Sequence, residues 1–450
     1  MTMNKIKNPI QLSEHFTYSK LLRFSLPSIV MMIFTSIYGI VDGFFVSNFV
    51  GKQEFTAVNL IFPVIMIAGA FGFMMGAGGT AIVAKTLGEK RNKTANEYFS
   101  FITLATTVLG VAVSTLGIAF IRPLAMLLKA EGELLDDCVL YGTLVLLAMP
   151  FFMLQNLFQS FFIVAEKPKL GLFVTLAAGI TNMVLDALFV AVFEWGLAGA
   201  AIATAMSQVV GGILPLIYFF RKNTSLLAFC KTRFFGQVLF KTVTNGSSEL
   251  INNISSSFVT ILYNYQLMRY ADEDGVAAYG VIMYLGFIFF AIFIGYSIGT
   301  APIVGYHYGA GNTDELKSVL KKSMALTIGG GAAMSFISMV LSSPLSKIFV
   351  GYDKPLLDMT TRGMLIFSVS FVFSGFTVFA SSFFTALNNG PISAAISFLR
   401  TLVFQIAGIL ILPHFFELDG IWFSLPVSDA LALATTFIFV FACRKKYKYL

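Results

Sequence analysis

The sequence predicts an all-α integral membrane protein in which twelve transmembrane helices form two pseudo-symmetric six-helix lobes. Its 450 residues are 57% hydrophobic and only 12% charged, which is more apolar surface than a soluble core of this length can bury. The apolar residues form twelve long continuous stretches, each close to the roughly 20 residues that a helical bilayer crossing needs. The two halves of the chain also resemble each other at a spacing near 221 residues.

The predicted elements follow in chain order from this pattern. A polar segment, residues 1–19, lacks the apolar core of a signal peptide and is expected to be retained. The first lobe, 20–220, and the second lobe, 237–443, are joined by a basic linker, 221–236, and a basic tail, 444–450, ends the chain. The predicted spans are 20–46, 55–84, 97–121, 138–163, 169–193 and 197–220, then 237–267, 276–304, 318–341, 359–386, 391–413 and 420–443.

The distribution of basic residues predicts the orientation. If the N-terminal segment, the linker and the tail lie on one side of the membrane, that side carries 22 Lys and Arg residues and the opposite side carries seven. The positive-inside rule therefore places both termini in the cytoplasm. The bases are spread over short loops rather than gathered in one patch, so the net charge of +7 is explained by topology and no nucleic-acid partner is expected.

The internal repeat is clearest near the ends of spans two and eight. Residues 77–88 match residues 298–309, with glycines and a valine at equivalent positions, and Gly199 corresponds to Gly420. Membrane transporters are commonly built from such repeats, with the ligand site between them.

The carboxylates Asp42, Asp186 and Glu249 lie within predicted spans that hold no obvious basic partner for them. A lone ionised acid at this depth costs about 2.5–3.5 kcal/mol or more, so intramembrane acids usually have a function. Under the repeat register Asp42 and Asp186 have no acidic counterpart in the second half. This asymmetry favours a functional role over a scaffold role, although hydrogen-bonded helix contacts remain the structural alternative.

Asp42, Asn182, Asp186 and Thr204 predict a binding site for a coupling ion. Asn182 and Asp186 are four residues apart and share one helix face. If spans one, five and six pack together, carboxylate, amide and hydroxyl oxygens meet in one pocket. These oxygens suit Na⁺, while two close acids can equally share a proton, so H⁺ and Na⁺ both remain candidates. No other metal site, no cofactor and no catalytic residue is predicted.

A second set of polar residues predicts a substrate cavity. Span seven carries polar side chains at three- or four-residue steps, which would form one stripe on the helix. With Tyr38, one turn before Asp42, the predicted cavity residues are Glu249, Asn253, Ser256 and Tyr263. Glu249 would attract a cationic ligand; the alternative is an acid near a helix end that reaches the membrane interface.

Arg400 and Asp429 are the remaining charges within predicted spans, eleven and twelve. Pairing would relieve the cost of burying both. We therefore predict a structural ion pair between them.

Several motifs resemble the multidrug and toxic compound extrusion (MATE) family, nearest its bacterial MepA/DinF-like branch. The resemblance covers most of the chain. The motifs that carry it are Leu26-Pro27 with Tyr38 and Asp42, Asn182 to Asp186, Gly88 to Asn92, Gly309 to Asn312, Glu166 to Pro168, Ser397 to Arg400 and Gly246 to Glu249. Another branch carries an acid in span ten, whereas this sequence has no carboxylate between Arg362 and Arg400, so coupling is expected to rest on the first lobe.

The resemblance implies an inner-membrane antiporter, not an enzyme, that uses H⁺ or Na⁺ to expel bulky, often cationic and amphipathic compounds by alternating access. A monomer in contact with membrane lipid is expected. Two alternatives remain at this stage. One is a flippase of lipid-linked oligosaccharides, which would need a more cationic cavity than Arg400 provides. The other is a non-transporting membrane protein, for which no nucleophile with a base or soluble domain is found.

Overall fold

The computed structural model describes residues 10–449, so residues 1–9 and 450 of the two predicted terminal segments lie outside the described residues. Within this range the helices match the twelve predicted spans. One long helical stretch, Gly236–Gly309, is interrupted by non-helical backbone at Ala271 and Asp272, and we treat its halves as α7 and α8. The helices are α1 Tyr18–Val50, α2 Gln53–Gly88, α3 Asn92–Leu127, α4 Gly132–Leu147 with Met149–Val164, α5 Pro168–Val192, α6 Gly196–Phe220, α7 236–270, α8 273–309, α9 Thr313–Val350, α10 Lys354–Ser368 with Ser370–Ala386, α11 Gly390–Ile411 and α12 Pro413–Tyr447.

The predicted fold class is confirmed. Nine described helices are long and apolar enough to cross a membrane, and two bent pairs raise the number to eleven. The longest of these helices contains both α7 and α8. Several helices exceed their predicted spans: α9 covers Thr313–Val350 instead of 318–341. Hydropathy marks only the part of a helix that matches the hydrocarbon layer, whereas polar turns continue the helix beyond it.

The two lobes repeat each other in backbone detail. Both α4 and α10 are bent, by 52° and 45°. Residues with positive φ recur at equivalent connections between helices, 221 to 223 positions apart. These pairs are Gly51 and Asp272, Lys90 and Gly311, Glu166 and Asn388, and Glu194 and Glu417. Six of these eight residues are not glycine, the residue that adopts positive φ most readily. The geometry of the connections therefore repeats between the lobes even where glycine is absent.

Both described ends of the chain lie on one end of the bundle, which we call the terminal face. Leu12 and Phe16 are fully buried in a cluster that also contains Tyr449. The backbone N–H of Leu12 donates to Glu166 of the first lobe at 2.6 Å, and that of Phe16 donates to Glu315 of the second lobe at 2.8 Å. The N-terminal segment thus ties the two lobes together. Burial raises the pKa of the Glu166 carboxyl.

Glycines bring the lobes into backbone contact near the terminal face. A Cβ on Gly78 of α2 would lie 1.9 Å from the carbonyl oxygen of Thr242 in α7, and one on Gly246 of α7 would lie 1.9 Å from that of Met74. Nearer the terminal face, a Cβ on Gly309 would lie 2.0 Å from the carbonyl oxygen of Lys85. Small residues permit this close packing of transmembrane helices, so the terminal face is closed in this structure.

We predict that Gly246→Val opens the terminal face. The valine side chain cannot fit against the Met74 carbonyl, so the lobes must separate there. Electron–electron distances between spin labels on Lys93→Cys and Lys317→Cys, in a variant without native cysteines, are expected to lengthen. The matched control is Gly280→Val, because no atom lies within 4 Å of its Cβ position. Unchanged distances in both variants would contradict the prediction.

A candidate cation site and an inter-lobe cavity

The candidate cation site forms where α1 packs closely against α5. The glycine at position 179 permits this approach, since a Cβ there would lie 2.4 Å from Cε1 of Phe34 and 3.1 Å from Cδ1 of Tyr38. Asn182 follows Gly179 by one helical turn, and Asp186 follows by two. The same contact that fits α1 onto α5 therefore brings Asp42 of α1 to the polar face of α5.

Three of the four predicted ion-site residues are joined at Asp42. Its Oδ1 accepts long hydrogen bonds from Nδ2 of Asn182 at 3.5 Å and from Oγ1 of Thr204 at 3.4 Å. The fourth residue, Asp186, interacts with Asp42 through its carboxyl group. Asp186 and Asn182 are 0% and 1% exposed, so bulk water does not solvate them. The predicted juxtaposition of α1, α5 and α6 is thus present.

The pocket is rich in oxygen acceptors and poor in donors. Both carboxyl oxygens of Asp186 and Oδ1 of Asn182 are buried without a hydrogen-bond partner in the described structure. An ionised carboxylate can only accept hydrogen bonds, and leaving a buried polar group unpaired costs about 1–3 kcal/mol, more for a charged one. A cation bound by these oxygens would satisfy them together, whereas a proton between the acids would remove one negative charge and pair one Asp186 oxygen.

Both acids stand next to π-helical turns. The regular part of α5 ends at Asp186, and Ala187–Val192 follows as a π-helix. In α1 the π-helix Val46–Val50 begins four residues after Asp42. π-Helical turns are rare and are frequent at functional sites. The regular α-helix therefore ends at Asp186 in α5 and within one turn after Asp42 in α1.

Tyr141 of α4 also contributes to this site, and sequence reasoning missed it. Its hydroxyl interacts with Thr204, and its ring lies close enough to Asp42 and Asp186 for electrostatic interaction. Tyr141 is 4% exposed. A tyrosine in an apolar span is compatible with ordinary packing, so no sequence pattern singles it out.

Glu249 lines a cavity between the two lobes. The cavity walls come from α2, α4, α7, α8 and α10, and include Ala77, Ser160, Pro302 and Thr385. The walls offer hydroxyl and small apolar side chains, with Glu249 as the acid among them. Glu249 therefore lies on a cavity wall between the lobes, and its role in binding a substrate stays a prediction.

The other predicted cavity residues lie elsewhere. Tyr38 packs on Gly179 and lies near Asp42, with the cation site. Nδ2 of Asn253 donates to the Glu249 carbonyl, and Ser256 is exposed. Tyr263 is buried in the second lobe, where its hydroxyl is 2.8 Å from Oγ of Ser424. The stripe does not form one wall, because Glu249 and Tyr263 share a face of α7 but lie about 21 Å apart along its axis, where they meet different neighbouring helices.

The charges Arg400 and Asp429 lie together in the second lobe. Nε of Arg400 is 2.9 Å from Oδ1 of Asp429, and their side chains are 14% and 0% exposed. Oγ of Ser374 donates to the other carboxyl oxygen at 2.6 Å, and the guanidinium lies 5.7 Å from the Phe290 ring centroid. The second lobe thus contains a buried acid whose counter-ion is a side chain of the protein itself.

Comparison with known proteins supports both the two-lobe architecture and its ancestry. Residues 27–188 and 250–411 each match the profile of the MatE family, one copy in each lobe. The chain is 24% identical to the multidrug export protein MepA of Staphylococcus haemolyticus, over 96% of this chain and 95% of that protein. It is 23% identical to MepA of Staphylococcus aureus, over 95% and 94%.

Solved structures with the same fold include MATE in complex with MaL6, with a TM-score of 0.93 and 21% identity over 98% of this chain and 100% of that chain. An outward-facing multidrug resistance MATE transporter of the MOP superfamily has a TM-score of 0.92 and 21% identity over 98% and 99%.

Proposed function

The chain belongs to the MatE family of multi-pass transporters of the bacterial inner membrane, and from this premise we propose that it is a multidrug efflux antiporter driven by H⁺ or Na⁺. In this proposal it exports bulky, often cationic organic compounds by alternating access. The relatives described above are named as multidrug export proteins. The single observation that carries the coupling proposal is the donor-poor pocket of Asp42 and Asp186.

The pocket supports coupling because its buried oxygens lack hydrogen-bond donors, which a bound proton or cation would offset. The unpaired oxygens of Asp186 and Asn182 gain a ligand when Na⁺ binds, and a proton would instead neutralise one acid and let it donate to the other. Neither guest is favoured by the residues alone, since carboxylate and amide oxygens bind either. The proposed ligands are Asp42, Asn182, Asp186 and Thr204, to which the structure adds Tyr141.

The charge of the inter-lobe cavity supports a cationic substrate; the cavity encloses about 40 Å³ in this closed arrangement, so it must widen to admit a bulky compound. Glu249 provides one negative charge among small and hydroxyl side chains, an arrangement that favours organic cations over anions. The flippase alternative is less well supported, because the sole base well inside a span, Arg400, is neutralised by Asp429 and cannot bind a pyrophosphate.

Helix α1 provides a physical connection between the two sites. It carries Asp42, and it also packs against the second lobe: a Cβ on Gly295 of α8 would lie 2.5 Å from Cα of Ile29, and one on Gly299 would lie 2.7 Å from Cβ of Ser25. If binding of a proton or Na⁺ at Asp42 shifts α1, the contact between the two lobes therefore changes as well. Coupling requires that each ligand weaken the binding of the other, because only differential binding shifts the populations of two states.

The proposal predicts gradient-driven efflux of ethidium from vesicles that contain the purified protein. Sodium and pH gradients are imposed separately, and at least one of them is expected to accelerate efflux over vesicles without a gradient. Glu249→Gln is expected to weaken ethidium binding while leaving cation binding intact, since it removes charge from the cavity alone. Absence of efflux and of counterflow with varied organic cations under both gradients would refute the proposed function.

A further inference from the structure

A lateral groove lies where α1 of the first lobe meets α8 and α9 of the second, on a face of α8 different from that of the inter-lobe cavity. It encloses about 370 Å³, and its walls include Leu22, Ile29, Ile292, Gly329 and Gly330. Two glycines create the space. No atom lies within 4 Å of the Cβ position of Gly329, and that of Gly330 meets only the end of Met334, at 3.9 Å.

The groove offers a ligand almost nothing but hydrocarbon. The polar groups on its floor are already paired within the protein: the hydroxyl of Tyr296 is 2.8 Å from Oγ of Ser323, and Oγ1 of Thr327 donates to the Ser323 carbonyl at 2.7 Å. A polar ligand would lose its hydration there without gaining new hydrogen bonds. A hydrocarbon chain fills such a groove without this cost.

Basic residues extend the groove toward the terminal face. Lys317 and Lys321 are exposed. Lys321 precedes Ala325 and Gly329 of the groove wall at four-residue steps, so these three lie on one side of α9, with Lys317 one turn before them. Across the groove, the exposed Arg23 directly follows Leu22 on α1. The ion pairs of the described residues leave these three bases without an acidic partner.

We propose that the lateral groove binds an anionic phospholipid from the leaflet at the terminal face. Its phosphate lies between Arg23 and Lys321, with Lys317 nearby, and one acyl chain fills the groove along Gly329 and Gly330. Basic pockets between transmembrane helices bind anionic headgroups in this way. Because the walls belong to both lobes, the bound lipid favours the arrangement with the terminal face closed. The site is independent of the proposed transport function.

Native mass spectrometry of the purified protein tests the site. The protein is titrated with dioleoyl phosphatidylglycerol or with dioleoyl phosphatidylcholine, which differ only in the headgroup. Wild type is expected to bind the anionic lipid more tightly. In the double variant Arg23→Gln/Lys321→Gln the preference is expected to fall about 25-fold, which corresponds to about 1 kcal/mol for each base. The control Lys90→Gln/Lys93→Gln removes two bases of the same face away from the groove and is expected to retain the preference.

A second variant tests the acyl-chain position. Gly329→Leu/Gly330→Leu adds side chains at two positions whose Cβ sites are open and is expected to fill the groove and reduce retention of both lipids. Wild-type retention in this variant, or an unchanged headgroup preference after loss of Arg23 and Lys321, would overturn the proposal. Displacement of phosphatidylglycerol by ethidium in wild type would also overturn it, by assigning the groove to exported compounds.

Discussion

Replacing Asp186 with asparagine is expected to reduce gradient-driven efflux strongly. The substitution removes one of the two acids that would bind a proton or Na⁺, and it replaces one of the unpaired Asp186 oxygens with an amide group that donates hydrogen bonds. The pocket would then bind a proton or Na⁺ more weakly. Asp42→Asn is expected to act in the same way. We expect the gradient-driven rate to fall about 5- to 150-fold, the range that corresponds to a coupling free energy of about 1–3 kcal/mol.

Ethidium efflux from vesicles measures this effect, and thermal denaturation with and without Na⁺, at two pH values, measures binding of the guest. Both variants are expected to lose any cation-dependent shift of the melting temperature while remaining folded. The matched control is Asp136→Asn, which removes a carboxylate that is 72% exposed and paired with Arg122 at the surface. Normal coupled efflux by Asp42→Asn or Asp186→Asn would show that the ion site lies elsewhere.

Arg400→Gln is expected to destabilise the protein by about 3–5 kcal/mol, because it leaves the fully buried Asp429 carboxylate with the hydroxyl of Ser374 as its remaining described partner. The free energy of unfolding, measured by denaturant titration in detergent micelles, gives this difference directly. Asp429→Asn is expected to cost a similar amount, because it leaves the guanidinium buried without a counter-ion.

The double variant Arg400→Met/Asp429→Leu is expected to recover most of the lost stability, since removing both charges removes the desolvation cost of both. The surface control is Arg362→Gln. Its ion pair with Asp419 involves an arginine side chain that is 69% exposed, so its loss should cost at most about 1 kcal/mol. A stable Arg400→Gln variant would contradict the structural role, whereas a stable double variant without efflux would indicate a role in transport.

The candidate ion site was largely predictable from sequence because burying acids in a membrane is costly. Asp42 and Asp186 stand out in apolar spans, and the spacing of Asn182 and Asp186 places them on one helix face. Tyr141 gave no such signal, because an aromatic ring packs as well in a core as in a polar site. Its position near Thr204 follows from the packing of α4 on α6, which no local pattern encodes.

The predicted cavity residues show the limit of helix periodicity. Glu249 and Tyr263 are both on α7, yet Glu249 lines the inter-lobe cavity and Tyr263 stacks on Tyr279 inside the second lobe, with ring centroids 4.8 Å apart. Tyr38 similarly lies with the ion site. Periodicity relates side chains along one helix, but it does not say which neighbouring helix each face meets.

Composition and span length are sufficient to predict the helical membrane class, because the cost of exposing polar backbone in a bilayer leaves few other solutions, and the internal repeat predicts the two six-helix lobes. The charges that must be paired or functional are also evident from the chain, since each carries its own desolvation cost. Contacts between helices distant in sequence decide which groups pair with those charges, how the terminal face closes and where the lateral groove forms. Those contacts are set by how glycines and bulky side chains fit together in three dimensions.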